Sequence, residues 1–355
     1  MKTTLCLAIL LATTAAHALS DSEKETLMTT AVQAYEQQDY ATALEKWQTL
    51  AEAGNAEAQN NLGILYDNGQ GVAQDYGKAR AWWEKAAAQG HAQAQYNLGT
   101  LYNQGQGVAQ NYAQARAWYE KAAAQGHAQA QSNLGFLYEN GQGVTQDYGQ
   151  ARTWYEKAAA QGHAIAQYNL GVLYNKGRGV AQDYGQAATW WEKAAAQGDA
   201  AAQYNLALLY YNGQGMAQDY GQARAWYEKA AAQNLTQAQF NLGVLYAEGQ
   251  GVAQDYAQAR AWYEKAAAQG HAQAQFNLGV LYAKGLGVVQ DYGQARAWYE
   301  KAAAQGYADA QYNLGVLYYN GEGVPRDISK AGEWLEKAAA QGDESAKAAL
   351  QKFGK

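Results

Sequence analysis

The chain has 355 residues, with 26 Lys and Arg against 32 Asp and Glu, one Cys, one Pro and a formal charge of −6. That mildly acidic balance argues against nucleic acid or an anionic membrane as the main partner. A single cysteine excludes an internal disulfide framework. Met1-Lys2 precedes an apolar stretch from Leu5 to Ala12 and then Ala16-His17-Ala18. A short basic start, a brief apolar core and an Ala-x-Ala end predict a signal peptide over residues 1–18, cut after Ala18. The apolar run is too short to span a bilayer, and no later segment qualifies, so no integral membrane segment is expected. Cys6 leaves with the signal, and no cysteine stands at the cleavage point to carry a lipid. The expected mature chain is exported, periplasmic or secreted, with 25 basic and 32 acidic residues and a net charge of −7.

Residues 19–54 read as a short helical pair in which Tyr35-Glu36-Gln37-Gln38-Asp39-Tyr40 stands where later units carry a glycine loop. They are expected to cap the N-terminal end. From there the tripeptide Asn-Leu-(Gly/Ala) returns eight times at a spacing of 36 residues, from Asn61 and Asn97 to Asn313. A fixed period in the 20–50 range marks a stacked repeat array, which overrides the two or three domains that length alone suggests.

One unit, residues 92–127, reads AQAQYNLGTLYNQGQGVAQNYAQARAWYEKAAAQGH. Its apolar residues fall at Tyr96, Leu98, Leu101 and Tyr102, then at Tyr112, Ala115, Trp118, Tyr119 and Ala122. Spacings of three and four predict two amphipathic helices per unit. Gly105 and Gly107 follow the first helix, where glycine takes the left-handed conformation that ends it. Asp75, Asn111, Asp147 and their equivalents precede the second helix, as N-caps do. All eleven tryptophans fall in second helices and are expected in the core, as is the small residue at Gly99 and its equivalents, once Ala207. The fold class is therefore all-α, an α-solenoid in which eight helix-turn-helix units occupy residues 55–342. Residues 343–355 form a C-terminal capping helix carrying Lys347 and Lys352.

The string A-x-A-Q-[YF]-N-L-G-x-L-Y-x-x-G-x-G-V-x-x-D-Y-x-x-A-x-x-W-Y-x-K-A-A-x-Q-G resembles the Sel-1-like repeat, a relative of the tetratricopeptide repeat. Residues 19–54 resemble a plain tetratricopeptide unit. The resemblance implies a superhelical stack whose first helices line a concave surface and bind a protein or peptide partner, without catalysis and without a cofactor. It also implies a bacterial source and a monomer. Cysteine-rich secreted relatives are described as penicillin-binding or weakly hydrolysing β-lactams, but this chain lacks their paired cysteines and any nucleophile motif. A cell-envelope assembly or spacing role is the other alternative.

The candidate chemistry has plain explanations. Gly-x-Gly loops such as Gly69-Gln70-Gly71 lack the strand before them and the Lys-Ser/Thr after them that phosphate loops require. His91, His127, His163 and His271 occupy one junction in different units, too far apart to share the roughly 2 Å bonds of a zinc ion. Recurring Glu-Lys pairs such as Glu84-Lys85 read as a solvated face, and Asn234-Leu235-Thr236 as a chance glycosylation sequon.

Aligned with the tetratricopeptide pattern, the fifth, twelfth and thirteenth positions of each first helix face the groove. The fifth gives Tyr96, Tyr168, Tyr204, Phe240, Phe276 and Tyr312. The twelfth and thirteenth, where copies differ most, give Asn103, Asn175-Lys176, Tyr211-Asn212, Lys284 and Tyr319-Asn320. Tyrosine and asparagine offer contact area and adaptable hydrogen bonds. The fifth-position aromatics equally suit a second role, filling gaps between units. The repeated asparagine of the tripeptide is expected to serve packing.

Overall fold

The computed structural model describes residues 19–353, so the expected signal at residues 1–18 lies outside it. The described residues form nineteen helices and no strand. They fall into two compact units that divide between Ala158 and Ala159.

The first unit holds α1 (Asp21–Glu36), α2 (Tyr40–Glu52), α3 (Ala56–Asn68), α4 (Tyr76–Ala88), α5 (Ala92–Gln104), α6 (Tyr112–Ala124) and α7 (Ala128–Asn140), and most of α8 (Tyr148–Ala160). The second begins in the last residues of α8 and continues with α9 (Ala164–Lys176), α10 (Tyr184–Ala196), α11 (Ala200–Asn212), α12 (Tyr220–Ala232), α13 (Thr236–Glu248) and α14 (Tyr256–Ala268). It ends with α15 (Ala272–Lys284), α16 (Tyr292–Ala304), α17 (Ala308–Asn320), α18 (Ile328–Ala340) and α19 (Glu344–Phe353). Odd-numbered helices from α3 to α17 are the first helices of the repeats, and even-numbered ones the second.

The helix ends follow the chemistry read from the sequence. Asp75 and Asn111 accept the amides of Lys78 and Gln114 at 2.9 and 3.0 Å, opening α4 and α6. The first loop glycine closes the helix before it: Gly105, at φ 73°, donates its amide to Leu101 O. The second loop glycine does something else. A Cβ on Gly251 would stand 2.5 Å from the carbonyl carbon of Tyr220, so this residue seats the loop on the start of the preceding second helix. Asn234 takes the left-handed conformation, φ 62°, that glycine holds in other repeats.

The tryptophans need a correction. Trp47, Trp83 and Trp191 are buried, whereas Trp118, Trp226 and their equivalents are only half-buried. The core aromatic is one residue further on, at Tyr119, Tyr155, Tyr227, Tyr263 and Tyr299, and it becomes Leu335 in the last repeat. Trp118 instead lies against the alanine-rich core of the preceding repeat, with Lys121 Nζ 3.9 Å from its ring centre. Trp226 and Lys229 repeat the arrangement at 3.7 Å. Each lysine thus desolvates one ring face while keeping its ammonium in water. The helical glycine is where expected, and the buried ring explains it: a Cβ on Gly99 would come within 2.5 Å of Tyr119, and one on Gly171 within 2.4 Å of Trp191.

A row of buried glutamines joins consecutive repeats. Gln203, Gln239, Gln275 and Gln311 are 2–6 % exposed. Each donates its amide to a carbonyl in the last turn of the second helix before it: Ala195, Ala231, Ala267 and Ala303, at 3.1–3.4 Å. Each accepts at Oε1 from the glutamine that ends the second helix after it: Gln233, Gln269, Gln305 and Gln341, at 2.8–3.0 Å. Gln59 and Gln95 do the same in the first unit. One side chain therefore ties together two second helices belonging to successive repeats.

Removing Gln239 takes away two hydrogen bonds, one to the buried Ala231 carbonyl, which keeps the Asn234 amide, and one from the exposed Gln269 side chain. Gln239→Ala is expected to destabilise by about 1–3 kcal/mol, whereas Gln237→Ala on the exposed face stays within about 0.5 kcal/mol. Urea midpoints of the two variants measured side by side check the difference.

Candidate binding face of the first helices

The fifth-position aromatics are half-buried and reach in two directions. Tyr96 packs on the core ring Tyr119, centroids 5.8 Å apart, and stacks at 4.7 Å on His127, the cap of the next first helix, α7. Phe240 does the same with Tyr263 and His271, at 5.9 and 4.6 Å. Phe276 packs on Tyr299 and Tyr307, and Tyr204 on Tyr227. Filling the gap between repeats is thus one of their roles. At this position Asn60 and Ser132 are fully enclosed instead.

The histidines that receive these rings are helix caps. His91 and His271 accept the amides of Ala94 and Ala274 at Nδ1, both at 3.2 Å, and His127 and His163 act alike at 3.3 Å. Asp199 and Asp343 cap by carboxylate at the same position, while Leu235 and Tyr307 make no side-chain cap. An Nδ1 that accepts must be unprotonated. Consistent with this, burial pushes His163 and His271 below the ordinary imidazole value.

Cavities of the second unit lie along these aromatics. The first, of about 460 Å³, is lined by Tyr211, Asn212 and Phe240, which the sequence reading had named, together with Leu208, Asn241, Val244, Glu248, Gln273, Asn277 and the core rings Tyr227 and Tyr263. The second, of about 350 Å³, brings Phe276 and Lys284 to Asn313, Val316 and Glu322. In the third, of about 380 Å³, Tyr312 and Tyr319 meet Ser345 and Lys352 of α19. In the first unit Tyr96 lines about 220 Å³ with Ile64, Asp67, Asn97 and Thr100. Asn103, Tyr168, Asn175, Lys176, Tyr204 and Asn320 line none of these cavities.

The tripeptide asparagine is the residue that sequence reasoning placed elsewhere. Asn241 donates to the Tyr227 hydroxyl at 3.0 Å and also borders the cavity, as do Asn97, Asn277 and Asn313. Its available signal was the polarity itself: packing alone would accept an apolar residue there. Burial holds the Tyr263 and Tyr299 hydroxyls up to about 12, with the Glu248 charge adding to the effect at Tyr263, so both hydroxyls stay protonated at neutral pH.

The variability of the twelfth position has a structural basis. Its backbone carbonyl is held from the loop: Gln218 donates to Tyr211 O, Gln254 to Ala247 O and Gln290 to Ala283 O, each at 2.8 Å. Arg326 Nε takes the same part at Tyr319 O. The main chain supplies the anchor, so the side chain is free to change. Among the described residues no group of three His, Cys, Asp or Glu side chains is placed to hold a metal ion, and no helix is long and apolar enough to cross a membrane.

The family model described as Sel1 repeat matches eight consecutive stretches, from residues 56–91 to residues 308–343. A solved structure from uropathogenic Escherichia coli, described as a protective antigen displaying an SLR fold, is 40 % identical with a TM-score of 0.85, covering 87 % of this chain and 67 % of its own. A Sel1 repeat protein from Oxalobacter formigenes is 36 % identical with a TM-score of 0.67, covering 87 % and 89 %. A tetratricopeptide-sensor ATPase from Pyrococcus horikoshii shares the helical-repeat fold at 14 % identity and a TM-score of 0.51, covering 95 % and 55 %. No protein of curated function matches.

The histidine caps set a pH dependence. Their depressed folded-state values mean that stability is complete above the unfolded value of 6.5 and is lost as pH falls through the folded values. The urea midpoint is expected to drop between pH 7 and 5. Replacing both by the residue found at Asp199, as H163D/H271D, should reduce that drop.

Proposed function

The chain belongs to the Sel1 repeat family, and on that premise we propose that it is an exported scaffold that binds a protein or peptide along the face of its first helices. A Sel1 repeat scaffold is typical of protein–protein interaction. The observation that carries the finer reading is the coincidence of three features on one face. The cavities, the half-buried aromatics and the positions that differ between repeats all lie there. The opposite arrangement holds on the second helices, where the Arg116–Glu120 ion pair and the Lys121–Trp118 contact recur almost unchanged from repeat to repeat. A surface that already pairs its own charges has less to offer a partner.

Export rests on residues 1–18, and the 40 % identical protective antigen supports it, since an antigen that protects has to be met by the host. Mass spectrometry of the protein from its native cell is expected to find Leu19 as the N-terminus, outside the cytoplasm. A cytoplasmic chain that keeps residues 1–18 would remove export from the proposal.

The groove is tested with substitutions that the array itself already tolerates. Position five is Asn60 or Ser132 in two repeats, and position twelve is Ala247 or Ala283 in two others. The variant Tyr204→Ser, Tyr211→Ala, Phe240→Ser should therefore remain folded by circular dichroism. Its affinity for partners captured by the wild-type chain is expected to fall by about tenfold or more, the scale of losing one or two aromatic anchors. Undiminished capture by the folded variant would sink the assignment.

A further inference from the structure

The thirteenth position of the first helices carries a charge pattern that the aromatic and asparagine positions do not. Along the second unit it reads Lys176, Asn212, Glu248, Lys284 and Asn320, with all five side chains exposed. Glu248 stands at the rim of the 460 Å³ cavity, whose lining contains no lysine or arginine. In three second helices of this unit a glutamate has an arginine four residues earlier: Arg224 with Glu228, Arg260 with Glu264, Arg296 with Glu300. Glu248 forms no ion pair among the described residues. Its charge nevertheless acts on the cavity, adding to the burial that raises both Tyr211 and Tyr263. An uncompensated carboxylate on the cavity that Tyr211 and Phe240 also line suits a cation, which gains from the charge and from an aromatic wall together.

The next first helix reverses the sign at the same position, with Lys284 exposed on a cavity that Phe276 and Glu322 also line. Adjacent packed helices lie about 8–10 Å apart, and an extended chain advances roughly 3.3 Å per residue. One step along the first helices therefore corresponds to about three residues of an extended peptide.

Resting on the peptide-binding reading above, we propose that the cavity lined by Tyr211, Phe240, Asn241, Glu248, Tyr263 and Asn277 receives a lysine or arginine side chain. That side chain comes from a peptide lying extended across α11, α13 and α15, with an acidic side chain three residues away set on Lys284. Asn241 and Asn277 stand at the cavity wall, and the Asn241 amide, which gives one hydrogen to the Tyr227 hydroxyl, keeps a second for the peptide main chain. The alternation of charge at successive helices then specifies register, because a shift by one repeat places like charges together.

The experiment selects from a displayed library of random dodecapeptides on the purified chain, on E248K and on N277A. Lys284 occupies the equivalent position one repeat later, so E248K is compatible with the fold, and circular dichroism checks it. The wild-type chain is expected to enrich peptides with a basic residue and an acidic residue three positions away. An enriched peptide, labelled and titrated by fluorescence anisotropy, should bind E248Q roughly tenfold more weakly, and selection on E248K should lose the basic preference. Enriched peptides without a basic residue that ignore E248Q but weaken on N277A would overturn the cation pocket and leave the peptide-binding face standing. Enrichment of no peptide, or of peptides indifferent to both E248Q and N277A, would overturn the two together.

Discussion

The buried glutamine of each first helix is the constraint on which the rest of the array depends. A primary amide is worth burying only if donor and acceptor are both used. Here they are used by groups on two different second helices. Gln239 meets the end of α12 with its amide and the end of α14 with its oxygen. The geometry that satisfies one side chain thereby fixes the spacing of two repeats. Alanine and leucine around it supply burial without direction. The glutamine supplies direction, and the aromatics, loops and cavities take their places relative to it.

This explains why the groove can be both regular and varied. Within the second unit, the repeat interfaces from α11 onward are held by the glutamine bonds and by the loop glycine seated on the preceding helix start. The twelfth position is held through its carbonyl. Tyr211, Ala247 and Ala283 can then share one backbone course while presenting different side chains to solvent. Energy and information sit on separate atoms of the same residue.

Much of the fold was legible in the residues. The 36-residue period, the Asp and Asn caps and the helix-ending glycines each follow from a local rule and stand in the structure where expected. What escaped was whatever depends on a neighbouring repeat. Gln95 looks like an ordinary surface residue until Ala87 and Gln125 are set beside it. His271 looks like a junction residue until its ring nitrogen meets an amide and its face meets Phe240. Trp118 and Tyr119 adjoin in sequence, and hydrophobicity would bury the larger. The helix turns only the second toward Gly99. For the candidate site, position numbers brought Tyr211, Asn212 and Phe240 to one cavity, but periodicity could not show that Asn241 and Asn277 share it.

The loop glycine that rests on the preceding helix start has a further consequence for the history of such a chain. Because every repeat in the run from α11 to α18 begins and ends on nearly the same surface, excising or duplicating one set of 36 residues rejoins matching surfaces. Near-identical coding segments in tandem also favour that exchange by unequal recombination. Copy number can then drift while each remaining interface keeps its chemistry. What changes is the sequence of side chains along the groove, so a whole recognition element can be gained or lost in one genetic event with the fold intact.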